Sequence, residues 1–106
     1  MAWIVIIFAG LFEVVWATAM KQSHGFTRLV PSVVTVAAML VSFALLAWAM
    51  RVLPLGTAYT VWTGIGAIGA FVLGVTILGE PLTPLRASAA LLIVAGLVLM
   101  KVASPT

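Results

Sequence analysis

The chain has 106 residues, 65% of them hydrophobic and 7% charged, with a net charge of +3 and a mean hydropathy of +1.36. A water-facing domain needs roughly 25% charged residues to cover its surface, so this composition excludes a soluble domain and points to a membrane protein. With no cysteine, one histidine and five cations, it also excludes a disulfide framework or thiol chemistry, leaves His24 without a partner for a metal, and offers no basic stripe for nucleic acid.

The opening run MAWIVIIFAGLFEVVW lacks a basic region ahead of its apolar stretch, and Glu13 interrupts it. It therefore reads as a retained first transmembrane helix, over residues 3–21, and not as a cleavable signal. Glu13 lies eight residues before Lys21 and twelve after Met1, or ~12 Å and ~18 Å along a helix, near the middle of a hydrocarbon layer ~30 Å thick. The nine Ile, Val, Leu and Phe residues of this helix favour insertion by roughly 3–5 kcal/mol together, against about 2.5–3.5 kcal/mol for one central charge. One acid is tolerable there; two would not be.

Further along, hydropathy and breakers predict helices over 31–51, 57–78 and 84–102, making residues 1–106 a single all-α domain of four transmembrane helices. Gly25 is placed to end the first helix. Pro31 and Pro84 suit first-turn positions, where a missing N–H costs nothing. Leu53-Pro54-Leu55-Gly56 separates the second helix from the third, and Gly79-Glu80-Pro81 ends the third. The fourth is short: fourteen uncharged residues, Ala87 to Met100, separate Arg86 from Lys101, and both cations would snorkel outward to lengthen the span. Trp3 and Trp48 suit an interfacial belt, and Glu80 and His24 read as solvated loop residues.

Four spans put Arg51 and Lys101 on one side and Lys21, Arg28 and Arg86 on the other. Two against three is almost no bias, which fits insertion either way up or simply small, noisy counts. Four short helices can hardly enclose a water-filled pathway, and no internal repeat is evident. Two copies in opposite orientations would supply the symmetry that larger transporters build from fused inverted repeats, so a dimer is expected.

An ionisable group at mid-membrane marks transport, proton relay or tight helix association. Gly10, Glu13 and Trp16 share a helix face at i, i+3 and i+6, with Ala17 close by. Gly10 would open space beside the carboxylate, while Trp16 offers a π face and an N–H. Tyr59, Trp62 and Gly66 follow similar spacing on the third helix, and Ser42, midway along the second, could donate to a carboxylate. A buried carboxylate with aromatic faces suits an organic cation, each face adding about 0.5–2 kcal/mol. Proton and cation would compete for the one site, which is the minimal logic of antiport. The plainer readings are that Glu13 only hydrogen-bonds a neighbouring helix, that Trp16 is ordinary packing, that Tyr59 and Trp62 belong to an interfacial belt, and that Ser42 back-bonds within its own helix. Gly64, Gly66 and Gly69 crowd the third helix and mark either close packing or a bend that switches shape. Ala89 and Gly96 lie seven apart on one face of the fourth, as a close dimer contact requires.

GLFEVVWATAMKQSHGFTRLVPS, LPLGTAYTVWTGIGAIGA and GEPLT together resemble the small multidrug resistance family of bacterial transporters, across essentially the whole chain. The pattern is closest to its guanidinium exporter branch, which carries Gly10, Trp16, Ser42 and Lys101. The branch that exports bulky aromatic cations has a small residue in place of Trp16. The resemblance implies an inner-membrane protein that forms an antiparallel, dual-topology homodimer without cofactors. It further implies that Glu13 of both subunits binds protons or substrate in turn, that Ser42, Tyr59 and Trp62 line the site, and that the fourth helix makes the dimer contact. Some relatives carry glycine at the position of Ala89. The expected activity is proton-coupled export of guanidinium and small guanidinyl cations. Export of hydrophobic quaternary ammonium ions and a non-transporting membrane subunit are the alternatives, and an enzyme is not indicated, since no nucleophile–base pair or metal cluster is visible.

Overall fold

The computed structural model describes residues 1–104. They form four helices in chain order: α1 (Ala2–Gln22), α2 (Leu29–Ala49), α3 (Leu55–Thr76) and α4 (Pro84–Ala103). The helices are 20 to 22 residues long and apolar enough to cross a membrane, and at 1.5 Å per residue each reaches across a hydrocarbon core of ~30 Å.

Local chemistry shifts the helix ends from their expected places. α1 stops at Gln22, with Lys21 in its last turn, where a cation complements the helix dipole. Gly25 does not end it. Fully buried Ser23 donates its hydroxyl to Met20 O at 2.7 Å and accepts the Phe26 N–H at 3.0 Å. His24, Gly25 and Phe26 then run through three successive left-handed residues, with φ of 49°, 73° and 66°. α2 begins at Leu29, two residues ahead of Pro31; Pro31 is still in the first turn, whose N–H groups have no partner within the helix. Pro54 caps α3, which starts two residues before the expected Gly-Thr boundary and ends at Thr76. Thr83 caps α4 by accepting the Arg86 N–H at 3.1 Å, with Pro84 in the first turn.

The bundle is a slab of 43 × 35 × 16 Å. α1 lies between α2 and α3 and packs on both, α3 carries α4, and α2 barely reaches α3. Its core lies at the end where α1 starts: Ala2, Ile6 and Ala9 of α1 meet Ala49, Leu53, Ala58, Val61 and Trp62. The small residues let helix backbones approach, which matters where lipid is as apolar as the side chains and packing replaces the hydrophobic drive. Large apolar side chains such as Ile4, Leu40, Leu92 and Leu99 face outward, as lipid contact requires. α4 buries no residue at all.

Glycines set the α3 contacts. A Cβ on Gly10 would lie 2.6 Å from Ile65 Cγ2; on Gly66 it would run into the Glu13 carboxylate, on Gly69 into Val14, and on Gly64 into Leu97 of α4. The pairs Gly10–Ile65, Glu13–Gly66 and Val14–Gly69 advance together, so α1 and α3 run parallel. Val14 is β-branched and stiff about χ1 in a helix, so it cannot swing aside as a leucine tip can. Gly69→Val should therefore cost about 1–3 kcal/mol by overpacking, read as a lower unfolding midpoint in detergent. Adding Val14→Ala should recover most of the loss; a Gly69→Val protein as stable as its parent would show that the contact has slack.

Candidate functional site

Glu13 projects from mid-α1 toward α3, where Gly66 leaves room for its carboxylate. Its Oε1 and the Nε1 of Trp16, one turn further along α1, are both buried, and neither has a hydrogen-bond partner among the described residues. Two orphaned groups of opposite character on one helix face are costly in a dry setting. Indole N–H is a donor only, whereas an ionised carboxylate only accepts. Between them they can receive a ligand or each other.

Ser42 is fully buried and joins three helices. Its hydroxyl donates to Ala9 O of α1 at 2.7 Å and accepts the N–H of Trp62 of α3 at 2.9 Å. A hydroxyl has one proton to give, so in this arrangement Ser42 does not donate to Glu13 as the sequence suggested. Nor does it back-bond to a carbonyl of its own helix. It fixes the ring of Trp62, which is 7% exposed.

An aromatic row extends from that ring. Tyr59 lies 5.5 Å from Trp62 between centroids, Phe43 lies 5.8 Å from Trp62, and Trp16 meets Phe43 edge-on at 6.3 Å. Such separations suit tilted and edge-to-face pairs. Phe43 is the link that sequence reasoning missed; its place beside Ser42, the one mid-membrane hydroxyl singled out on its helix, was the available signal. Tyr59 is half-exposed and borders an open groove of about 390 Å³ between α3 and α4, lined also by Thr60, Thr63 and Ile93.

Other site candidates fall differently. Gly10 receives Ile65 and not the carboxylate; the space beside Glu13 comes from Gly66. Gly64, Gly66 and Gly69 each take a neighbouring side chain, and α3 is continuous through all three. Ala89 borders a second groove on the α3 side of α4, and Gly96 faces open space. Lys101, at the end of α4, has its ammonium 4.8 Å from the ring centroid of Trp3, so two residues read separately as a snorkelling cation and a belt aromatic form one cation–π contact. Among the described residues no cluster of His, Asp or Glu could hold a metal.

Comparison with known proteins agrees with this architecture. A family model described as Small Multidrug Resistance protein matches residues 1–99. The guanidinium exporters of Citrobacter freundii and Salmonella typhimurium are each 58% identical to the chain over 104 residues, covering 98% of it and 99% of the relative. The guanidinium exporter of Escherichia coli strain K12 is 57% identical over the same length. Four apolar spans and these relatives make the protein a multi-pass transporter of the bacterial inner membrane and not an enzyme. The chain belongs to the small multidrug resistance family.

Proposed function

We propose that the protein exports guanidinium and small guanidinyl cations in exchange for protons, with the two species competing for Glu13 of both subunits of an antiparallel, dual-topology homodimer. The observation that carries this reading is the pair of orphaned groups, Glu13 Oε1 and Trp16 Nε1, at the middle of a membrane helix. Guanidinium is planar, permanently charged and presents paired N–H donors that match a carboxylate. Trp16, a donor only, has nothing to offer a cation through its N–H. It can instead steady the carboxylate while its ring face attracts the charge.

The relatives named guanidinium exporters support the substrate class. The slab, 16 Å across its thin direction, supports a second copy, because one subunit cannot surround Glu13. The unburied face of α4 around exposed Gly96 supplies a surface for it, with Ala89 at the edge of the groove toward α3, and charge in near balance on the two sides fits opposed insertion. In such a pair two Glu13 carboxylates face one cavity. Protons entering down their gradient neutralise them and release the cation outward. A bend in α3 at Gly64, Gly66 and Gly69 would let the site open to either side.

The open groove beside Tyr59 favours some overlap with hydrophobic quaternary ammonium ions, whose tails it could receive. Flux with such an ion and none with guanidinium would move the main activity there, and silence with both from a well-folded assembly would leave a structural subunit.

In sealed proteoliposomes, an imposed guanidinium gradient should drive protons the opposite way. Glu13→Gln should reduce that flux to the level of protein-free vesicles while leaving the fold intact; undiminished flux in the mutant would sink the mechanism. Competition also fixes the sign of the pH dependence. Guanidinium binding to detergent-solubilised protein should weaken as pH falls, approaching about tenfold per pH unit for each proton displaced. Calorimetric affinities that do not change with pH would exclude a shared site.

A further inference from the structure

We propose that Gly74, Glu80 and Arg86 form a clasp that sets the position of α4 on α3, and that turnover depends on it. α4 has no buried residue; it packs mainly on α3, with Leu97 seated at Gly64, and its Lys101 reaches Trp3 of α1. The contacts at its first turn add an anchor at the opposite end. After α3, the Leu78 N–H bonds to Leu73 O at 3.2 Å and the Glu80 N–H to Gly74 O at 2.9 Å, with Gly79 at φ 72° in the left-handed region that favours glycine. The chain doubles back, laying the Glu80 carboxylate over Gly74. A Cβ at residue 74 would come within 2.8 Å of its carbon and both oxygens.

Arg86 closes the clasp. One guanidinium nitrogen donates to Pro81 O at 2.8 Å, the other reaches Glu80 Oε1 at 3.4 Å, and the group stands 5.3 Å from the centroid of Phe71 on α3. The ion pair is partly exposed and by itself would add little stability. What it supplies is geometry: a rigid planar fork touching the loop, the carboxylate and α3 at once, which a lysine cannot reproduce. At the other end Lys101 lies over Trp3, so α4 is tied near both membrane surfaces with a groove of about 200 Å³, lined by Ala67, Ala90 and Ile93, near the clasp end. α3 carries Tyr59 and Trp62 and receives Glu13 at Gly66. A shift of α3 during the cycle therefore reaches α4 through Arg86. This second half rests on the transport reading above.

The test is guanidinium-driven proton flux in proteoliposomes with Glu80→Gln and with Arg86→Lys. Each variant should lower the maximal rate several-fold at unchanged half-saturating guanidinium. Unchanged maximal rates, or a loss confined to guanidinium affinity, would overturn the role in turnover. A second measurement judges the clasp without transport. The chain has no native cysteine, so Ala67→Cys and Ile93→Cys can report on the α3–α4 groove by oxidative cross-linking. The clasp requires the cross-linking rate to change several-fold when Glu80→Gln is added to a protein that remains monodisperse, and an identical rate would refute it. If the parent itself shows no flux, the transport reading falls while the cross-linking result still decides the clasp.

Discussion

Glu13 can lie between α1 and α3 only because residue 66 has no side chain. Any Cβ there would occupy the place of the carboxylate, and the helices would have to separate or the acid turn toward lipid. Neither is cheap: a charge in hydrocarbon costs several kcal/mol on most scales, and helices in lipid adhere mainly through close packing. The same glycine-spaced face of α3 receives Val14 at Gly69 and Leu97 at Gly64. One helix thus holds the acid and seats its neighbours on both sides with a single device, the omission of side chains. The close α1–α3 approach and the seat of the carboxylate between the two helices are one constraint seen from two sides.

Polar groups around that acid are divided between those already committed and those left over. Ser42 and Trp62 bond to each other and to Ala9 O, tying three helices through one hydroxyl. Trp16 Nε1 and Glu13 Oε1 remain uncommitted. In a water-excluded setting such a division has consequences, because satisfied groups rigidify and unsatisfied ones draw whatever can meet them. The aromatic row from Trp16 through Phe43 and Trp62 to Tyr59 runs from the uncommitted end to the open groove. Its rings meet in tilted and edge-on pairs that link α1, α2 and α3.

Four helices are legible in the sequence because hydropathy reports a bilayer-scale length directly and the breakers between spans are strong. Helix ends are less legible. Gly25 looks like a stop signal, yet the stop belongs to Ser23, whose hydroxyl serves both Met20 O and the Phe26 N–H; a side chain that bonds both ways leaves no mark in hydropathy. Within the site, i, i+3 spacing places Glu13 and Trp16 on one face because both lie on the same helix. Relations between helices depend on register, which spacing along one helix does not contain. That is why Gly10 seemed to make room for the acid when Gly66 does, why Ser42 seemed aimed at Glu13 when it holds Trp62, and why Phe43 went unnoticed. Glu80 is a loop residue and exposed, as its Gly-Glu-Pro setting suggests, but the left-handed turn at Gly79 also brings its carboxylate back over Gly74, which the sequence does not reveal.

The two faces of the slab have unequal work. α1 sits between α2 and α3 and packs on both, while its acid faces α3 at Gly66. α4 is held at its ends, by Arg86 on Glu80, Pro81 and Phe71 and by Lys101 on Trp3, while Gly96, in its second half, meets nothing. A helix held at its ends and on α3 at Leu97, with no residue buried, is suited to receiving another helix without being reshaped by it. In the proposed antiparallel pair that surface would join the subunits, and the end contacts would pass on what happens there. Displacement at the join would reach α3 through the guanidinium of Arg86, and α3 holds both the aromatic pair and the glycine that admits Glu13. In that pair the acid and the join would be coupled through one continuous set of contacts, as the proposed exchange between two open shapes would need.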